Sequence, residues 1–452
     1  MKVASPQREA PRASAVDVAR RTAFEVVRQV RRGRTWEQAW ERRGRAVASG
    51  SLDRRFAMEL ASGVVRLRAR LDFVLQRHCK RALAELQPDV LDVLRLGAYQ
   101  LLEMDRVRDG AAVHATVELA KSVSPRATAL VNAVLRALLR AARDIEFPAP
   151  ERDPRSHLVT AGSHPEWIVD RWLRRFGAEE TLHLCAYNNR RPRLSLRVNR
   201  QRATATQVRE RLPEALSGFW SADVVRAPEH GWEQVRPLLE SGWVSVQDES
   251  AVLVTEEASP RSGEVWLDLA AAPGGKACHL AERVGDAGRV LAYDVGAHKV
   301  QRIRDNAVRL ALENIVAAEG NALEIETPSA DGVLLDAPCS GLGVLSRRPD
   351  ARWRKRPGDL ERLAELQLRL LESARRRVTP GGVLLYSVCS FEPEETTGVV
   401  ERFMAANPEL ALESGQAPEA LRYAPGILYF FPQRHDVDGG FVARWRVGSR
   451  AR

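Results

Sequence analysis

Val265-Trp266-Leu267-Asp268-Leu269-Ala270-Ala271-Ala272-Pro273-Gly274-Gly275-Lys276 is the stretch from which the fold of this 452-residue chain is read. Its apolar first part has the length of a strand buried on both faces, as in a parallel sheet. Pro273, Gly274 and Gly275 follow as a tight bend where backbone can come close to a ligand. A helix beginning near Lys276 turns its first amides towards a polar or anionic group.

Downstream the pattern alternates. Strands are expected at 265–269, 289–293, 315–318, 331–336 and 383–387, with helices at 277–284, 298–310 and 360–376 between them. This spacing predicts an α/β fold, a doubly wound, Rossmann-like parallel sheet with right-handed crossovers. Ligands of such sheets bind at the carboxyl ends of the strands, so informative residues should sit just past each strand.

Upstream the chain differs. Residues 1–145 read as all-α, opening on a helix-start signal at Ser14 and Asp17 with Val16, Ala19, Ala23, Val26 and Val30 at helical spacing. Further helices are expected at 53–68, 71–84, 88–104, 111–122 and 125–143. Their arginine-rich polar sides are either solvated faces or an RNA-binding surface. A proline-rich connector at 146–156 marks a boundary. Residues 157–246 read as a small α+β subdomain, with a helix at 164–176, strands at 194–198 and 244–248 and a capped helix at 204–212. Trp167, Trp172 and Phe176 in the first of these helices are read as core packing. The large α/β domain takes 247–452.

The formal net charge is +10 and the pI about 9.8. Such a balance reflects either an acidic partner, most often nucleic acid, or an arginine- and alanine-rich proteome. Five cysteines in this length make no disulfide framework, and no C-x-x-C pair suggests zinc, so no metal is expected. With no signal-peptide core and no long apolar run, a cytoplasmic, reduced, monomeric protein is expected.

Asp294 ends the second strand about 20 residues beyond the glycine turn, where a carboxylate can accept both ribose hydroxyls of an adenosine cofactor. A P-loop would need glycine where Ala270 stands and Ser or Thr where Ala277 stands. A dinucleotide fingerprint would need more glycines than the Gly274-Gly275 pair. S-adenosylmethionine, with no pyrophosphate to cradle, tolerates the turn as written.

The fourth strand runs into Asp336-Ala337-Pro338-Cys339-Ser340-Gly341, and the fifth into Tyr386-Ser387-Val388-Cys389-Ser390. Two cysteines just past parallel strands should both face the cofactor crevice. A thiolate there suits cytosine, whose carbon 5 becomes nucleophilic only after addition at carbon 6. Cys278, on the helix after the turn, is read as packing.

Two resemblances follow from these residues. The helical order with Val131-Asn132-Ala133-Val134-Leu135-Arg136 resembles the NusB family of RNA-binding helical domains. Ala271-Ala272-Pro273-Gly274-Gly275-Lys276, Asp336 to Gly341 and Tyr386 to Ser390 together resemble the Sun family of RNA 5-methylcytosine methyltransferases. Arg347-Arg348-Pro349-Asp350, Trp353 and Asp438 to Ala443 add to the match. The resemblance implies Cys389 as nucleophile and Cys339 as the cysteine that assists release of the adduct. It implies Asp336 at the cytosine edge or against the cofactor, with Lys276 near the reacting centre. Ala270, Ala271, Ala272, Pro273, Gly274, Gly275 and Lys276 would wrap the methionine end of S-adenosyl-L-methionine, and Asp294 would hold the ribose. Asn321 stands near the adenine in place of the usual aspartate, Thr396 replaces an asparagine, and Gly440 a phenylalanine that walls the base pocket. The NusB-like front points to 16S ribosomal RNA of the small subunit as partner. The same chemistry on transfer RNA, and a non-catalytic RNA-binding assembly factor, are the alternatives.

Overall fold

The computed structural model describes residues 17–48, 50–141, 145–229 and 231–448. They fall into two compact units, one drawn from Met1–Asn189 and Arg348–Arg354, the other from Arg190–Arg347 and Lys355–Arg452. Among the described residues no helix is long and apolar enough to cross a membrane.

The first unit is helical; up to residue 141 this is the all-α stretch expected, whereas Pro154–Thr160 begins inside the expected connector and Glu166–Asn189 lies in the expected α+β segment. Its helices are Val18–Arg31, Trp36–Arg43, Leu52–Arg66, Arg68–His78, Pro88–Glu103, Asp109–Val123, Thr128–Ala141, Pro154–Thr160 and Glu166–Asn189. Ser14 and Val16 lie outside the described residues, and Asp17 caps the first helix by accepting from the Ala19 amide at 2.8 Å. The helix at 36–43 has no counterpart in the sequence reading, although Thr35 and Gln38 form its capping box. The helix expected at 71–84 stops at His78. Gln76 explains the stop: its amide accepts from Leu83 N at 3.0 Å and donates to Arg81 O at 3.1 Å, competing with helical continuation. The last helix runs past Phe176 to Asn189 across a kink at Gly177, whose φ of 77° a side chain would resist.

Residues 348–354, although they follow the fourth strand of the main sheet in sequence, belong to this helical unit. Trp353 packs on its core and donates to Val65 O at 2.7 Å. Arg352 is wholly buried and donates to four neutral acceptors: Ser163 O at 3.0 Å, Asn188 O at 3.1 Å, Asn189 Oδ1 at 2.8 Å and Arg66 O at 3.3 Å. Burial, with the Arg66 charge nearby, pulls its guanidinium pKa down to about 9.

The second unit holds two sheets. The smaller is antiparallel, with β1 (Ser195–Val198), β2 (Leu216–Ser217), β3 (Val224–Arg226) and β4 (Val244–Val246) in the order β2-β3-β1-β4. Helices Ala205–Arg211 and Trp232–Glu240 contribute Val208 and Val235 to its core beside Leu196, Val225 and Val244. The expected in-out alternation of 194–198 is not found, for every residue of β1 is buried. The polar face of β1 is covered too. There Arg197 pairs with Glu282 of the helix Gly275–Val284 and donates to Gln247 Oε1 at 2.8 Å. A second tie is Glu249, whose buried carboxylate accepts from the amides of Phe219, Trp220 and Ser221 at 3.1, 2.6 and 2.7 Å.

The larger sheet contains β5 (Val265–Asp268), β6 (Arg289–Asp294), β7 (Ile315–Glu319), β8 (Ala330–Asp336), β9 (Val378–Val388), β10 (Ala411–Leu412), β11 (Arg422–Ala424), β12 (Ile427–Phe430) and β13 (Gly440–Arg446). The five expected strands pair in parallel in the order β9-β8-β5-β6-β7. The sheet as a whole is mixed rather than parallel: β13 pairs antiparallel with β9, and β12, β11 and β10 extend it. Chain order reverses between β5 and β8, which opens the crevice at their carboxyl ends. Close packing there is enforced by Gly332, where a Cβ would lie 2.3 Å from the Trp266 ring.

Replacing Arg352 by methionine should destabilise the helical unit by roughly 2–4 kcal/mol, since four buried acceptors lose their donor. Urea unfolding followed by circular dichroism measures this, and an unchanged midpoint would contradict it.

Candidate active site

The ends of β5, β6 and β8 each present an aspartate: Asp268, Asp294 and Asp336. Between them runs the turn 269–274. Gly274 takes φ +104°, a conformation that needs glycine, and caps the helix Gly275–Val284 with no side-chain cap. That helix starts two residues earlier than the sequence suggests.

The turn is pinned from several sides. Ala271 N donates to Tyr293 O at 2.9 Å, and Ala272 N donates to Asp294 Oδ2 at 2.9 Å. Asn306 donates to Pro273 O at 2.9 Å, and Ala270 N faces Asp268 Oδ1 at 3.4 Å. Gly275 lies open on one side, with Gln247 at 3.6 Å from where a Cβ would be. Asp294 also accepts from Lys299 at 2.9 Å, so both oxygens of its carboxylate are engaged in fixing the turn. Gly320 N donates to Asp294 O at 3.0 Å, and Asn321 follows with its Oδ1 accepting from Leu323 N at 3.1 Å. Asn321 thus closes a short side-chain turn just beyond β7.

A second group gathers the reactive side chains. Lys276 donates to Asp336 Oδ2 at 2.7 Å, and Ser387 Oγ donates to Asp336 Oδ1 at 3.0 Å. Burial alone would lower the Lys276 pKa, but the Asp336 carboxylate beside it raises it above the usual lysine value. Cys339 Sγ and Cys389 Sγ are 2.9 Å apart, and both are free thiols. The hydrogen bond to Cys389, reinforced by burial, pushes the Cys339 thiol well above its ordinary value. The two sulfurs share one hydrogen bond in which either thiol can be the donor.

The Cys389 loop is held from below by Gly343, which donates to Cys389 O at 3.1 Å and accepts from Gly439 N at 2.8 Å. A Cβ on Gly343 would sit 2.2 Å from Gly439 O, so no larger residue fits. Arg347 supports the same corner by pairing with Asp438 and, at 2.7 Å, with Asp248. Gly440 begins β13 opposite Phe430, with Val388 O at 3.1 Å from its would-be Cβ. Thr396, in the place of asparagine, is buried and meets Tyr429 OH at 2.7 Å. Cys278 is buried among apolar residues, consistent with packing.

Every residue expected at the site lies at these strand ends or on this turn. Sequence alone gave no role to Asp268, Ser387 or Glu395. Asp268 obeys the same strand-end rule as Asp294 and Asp336, so its signal was present. It is buried, and its Oδ2 has no hydrogen-bond partner. Burial, then the Asp336 charge, push its pKa to about 7. An orphaned buried acceptor beside a glycine turn fits a ligand that brings a cation or a donor.

The chain can be set beside known proteins on this basis. A family model described as 16S rRNA methyltransferase RsmB/F matches residues 257–446, a NusB family model 17–140, and an RsmF/B-like ferredoxin-like domain model 164–224. A probable ribosomal RNA small subunit methyltransferase B of Bacillus subtilis is 35% identical over 403 residues, 86% of this chain and 89% of its own length. The chain belongs to the RsmB/F methyltransferase family. The ribosomal RNA small subunit methyltransferase B of Sodalis glossinidius is 36% identical over 87% of this chain and 89% of its own. Among solved structures, that of PH0851 superposes with a TM-score of 0.78 at 25% identity, covering 96% of this chain and 99% of that one. A methyltransferase homologue from Pyrococcus horikoshii gives 0.56 at 25% identity over 66% of this chain and all of its own. The RsmB/F fold, with its NusB-like helical part, its ferredoxin-like part and its mixed Rossmann-like sheet, is thus the fold of this chain.

The raised Asp268 pKa sets a pH dependence. A carboxyl group whose folded pKa exceeds its unfolded value stabilises the fold below the unfolded value and loses that stabilisation as pH rises through the folded one. Between pH 4 and 7 the ligand-free protein should lose up to roughly 3–4 kcal/mol from this group, and Asp268→Asn should flatten that slope. Chemical denaturation across this pH range reads it, and parallel slopes for both proteins would refute it.

Proposed function

We propose that this methyltransferase transfers a methyl group from S-adenosylmethionine to carbon 5 of a cytosine in 16S ribosomal RNA. The observation that carries the reading is the contact of Cys339 and Cys389, 2.9 Å apart, beside the Lys276–Asp336 pair. The names of the relatives support small-subunit ribosomal RNA as substrate.

S-adenosylmethionine, when bound, supplies an electrophilic methyl group on a sulfonium. The residues present suit it. The turn 270–276 would wrap its amino-acid end, with Asp268 Oδ2 free to accept from an ammonium. Asp294 would accept from ribose hydroxyls, and Asn321 would lie towards the base.

Cys389 acts as the nucleophile. Its sulfur would add to carbon 6 of the cytosine, making carbon 5 nucleophilic towards the methyl group, whose bond to the sulfonium would break to leave a neutral thioether. Asp336, held by Lys276 and Ser387, meets the polar edge of the base and steadies it during addition. Carbon 5 would then give up its proton to a base at the site as the sulfur–carbon 6 bond breaks, restoring the aromatic ring and the thiolate. Cys339 serves this release step. The target base must leave its stack to reach the sulfur, so exposed or flipped-out cytosine is the substrate.

Cys389→Ala should abolish methyl transfer, and Cys339→Ala should accumulate a covalent protein–RNA adduct that survives denaturing electrophoresis. Bisulfite sequencing of ribosomal and transfer RNA, with and without the gene, tests the base and the RNA class. Normal turnover by Cys389→Ala would end the mechanism. A lost mark confined to transfer RNA would redirect the substrate.

A further inference from the structure

Behind the two cysteines lies a buried polar cluster that the chemistry above does not use. At its centre is Glu395, fully buried at the end of the 3-10 turn Pro393–Glu395. Its carboxylate accepts from Ser340 N at 2.7 Å, from Ser340 Oγ, and from Gln367 Nε2 at 3.1 Å. Ser340 Oγ in turn lies 3.2 Å from Ser390 Oγ. Ser340 is the residue after Cys339, and Ser390 the residue after Cys389. One carboxylate therefore reaches both cysteine loops, each through the neighbour of its thiol.

The rest of the cluster fixes that carboxylate. Tyr386 OH donates to Glu395 O at 2.7 Å and contacts Gln367 Oε1 at 3.0 Å. Gln367, on the helix Pro357–Arg375, also donates to Pro338 O at 2.9 Å, one residue before Cys339. Glu395, Ser340, Ser390, Tyr386 and Gln367 are all buried, and an ionised carboxylate is the acceptor that satisfies them together.

We infer that Glu395 is the positioning residue of the thiol pair, its carboxylate holding the Cys339 and Cys389 loops at the separation that covalent catalysis uses. This rests on the cysteine chemistry proposed above. Glu395 touches neither substrate nor sulfur; it acts through Ser340 and Ser390. Its charge has a second effect. Behind the Cys389 hydrogen bond and burial, the negative charge of Glu395 adds to the raising of the Cys339 pKa. Apolar packing could hold the loops together but could not supply that field.

Full-length Glu395→Gln and Ser340→Ala test the inference against wild type and Cys389→Ala. For Glu395→Gln we expect kcat for RNA methylation to fall about 10- to 100-fold, the effect of ångström-scale misplacement, while KM for RNA and calorimetric affinity for S-adenosylmethionine stay within about twofold. Ser340→Ala should fall in the same direction by less. Independently of turnover, iodoacetamide labelling followed by peptide mass spectrometry should show Cys339 reacting at lower pH in Glu395→Gln. A kcat within about twofold of wild type, an unmoved labelling profile, or a parallel loss of kcat, KM and cofactor affinity would each overturn the inference. If Glu395→Gln fails to fold, Ser340→Ala decides: unchanged kcat overturns the inference, and a selective fall in kcat supports it. Activity retained by Cys389→Ala would instead overturn the proposed chemistry, whatever Glu395→Gln does.

Discussion

The parallel register of β8 and β9 sets Asp336 directly beside Ser387, and the rest of the site follows from that pairing. Three residues past Asp336 and two past Ser387, the chain places Cys339 and Cys389 in contact. Because side chains alternate along a strand, a slip of one residue would turn Asp336 or Ser387 to the opposite face and part the thiols. The register is protected on both flanks. β5 holds β8 through Trp266 packed on Gly332, and β13 pairs with β9 along six residues from Phe441 to Arg446. The antiparallel strands, absent from a purely parallel doubly wound sheet, thereby hold the strand that leads to Cys389 in place.

Charge is distributed unevenly around this frame. Asp268, Asp294 and Asp336 end three neighbouring strands, and Lys276 and Lys299 pair with only two of them. The third carboxylate, Asp268, is the one with an oxygen left without a partner. Buried anions without a counter-charge are costly, and the cost is relieved when a positive ligand arrives. A sulfonium cofactor with an α-ammonium brings two positive charges. On the proposed function, the Asp268 carboxylate would take up one of these charges when the cofactor binds.

Much of this was legible in the sequence because the parallel strands are continuous apolar runs that end in polar residues. The glycine turn, Asp294, Asp336 and both cysteines are found by reading the residue after each run. What escaped depends on distant partners. Glu395 looks like one of two adjacent surface glutamates until Ser340 and Gln367 close over it. The helix written through 71–84 ends early because Gln76 bonds forward along the chain, a choice that periodicity does not record. The strands after residue 410 are short, and they become strands by pairing with β9 and with one another. Gly440 opens β13 opposite Phe430.

The carboxylate of Glu249 under the amides of Phe219, Trp220 and Ser221, and the Arg197–Glu282 pair, have a practical meaning for dissecting this chain. By sequence, residue 247 is a natural place to cut a minimal catalytic fragment. Such a cut would strip Glu282 of its cation and Glu249 of its three donors, leaving two carboxylates inside a newly exposed apolar face. The small antiparallel sheet is not an accessory clipped onto a self-sufficient enzyme. It is the electrostatic lining of the helix that begins at the glycine turn, and the smallest fragment that keeps that lining starts before β1.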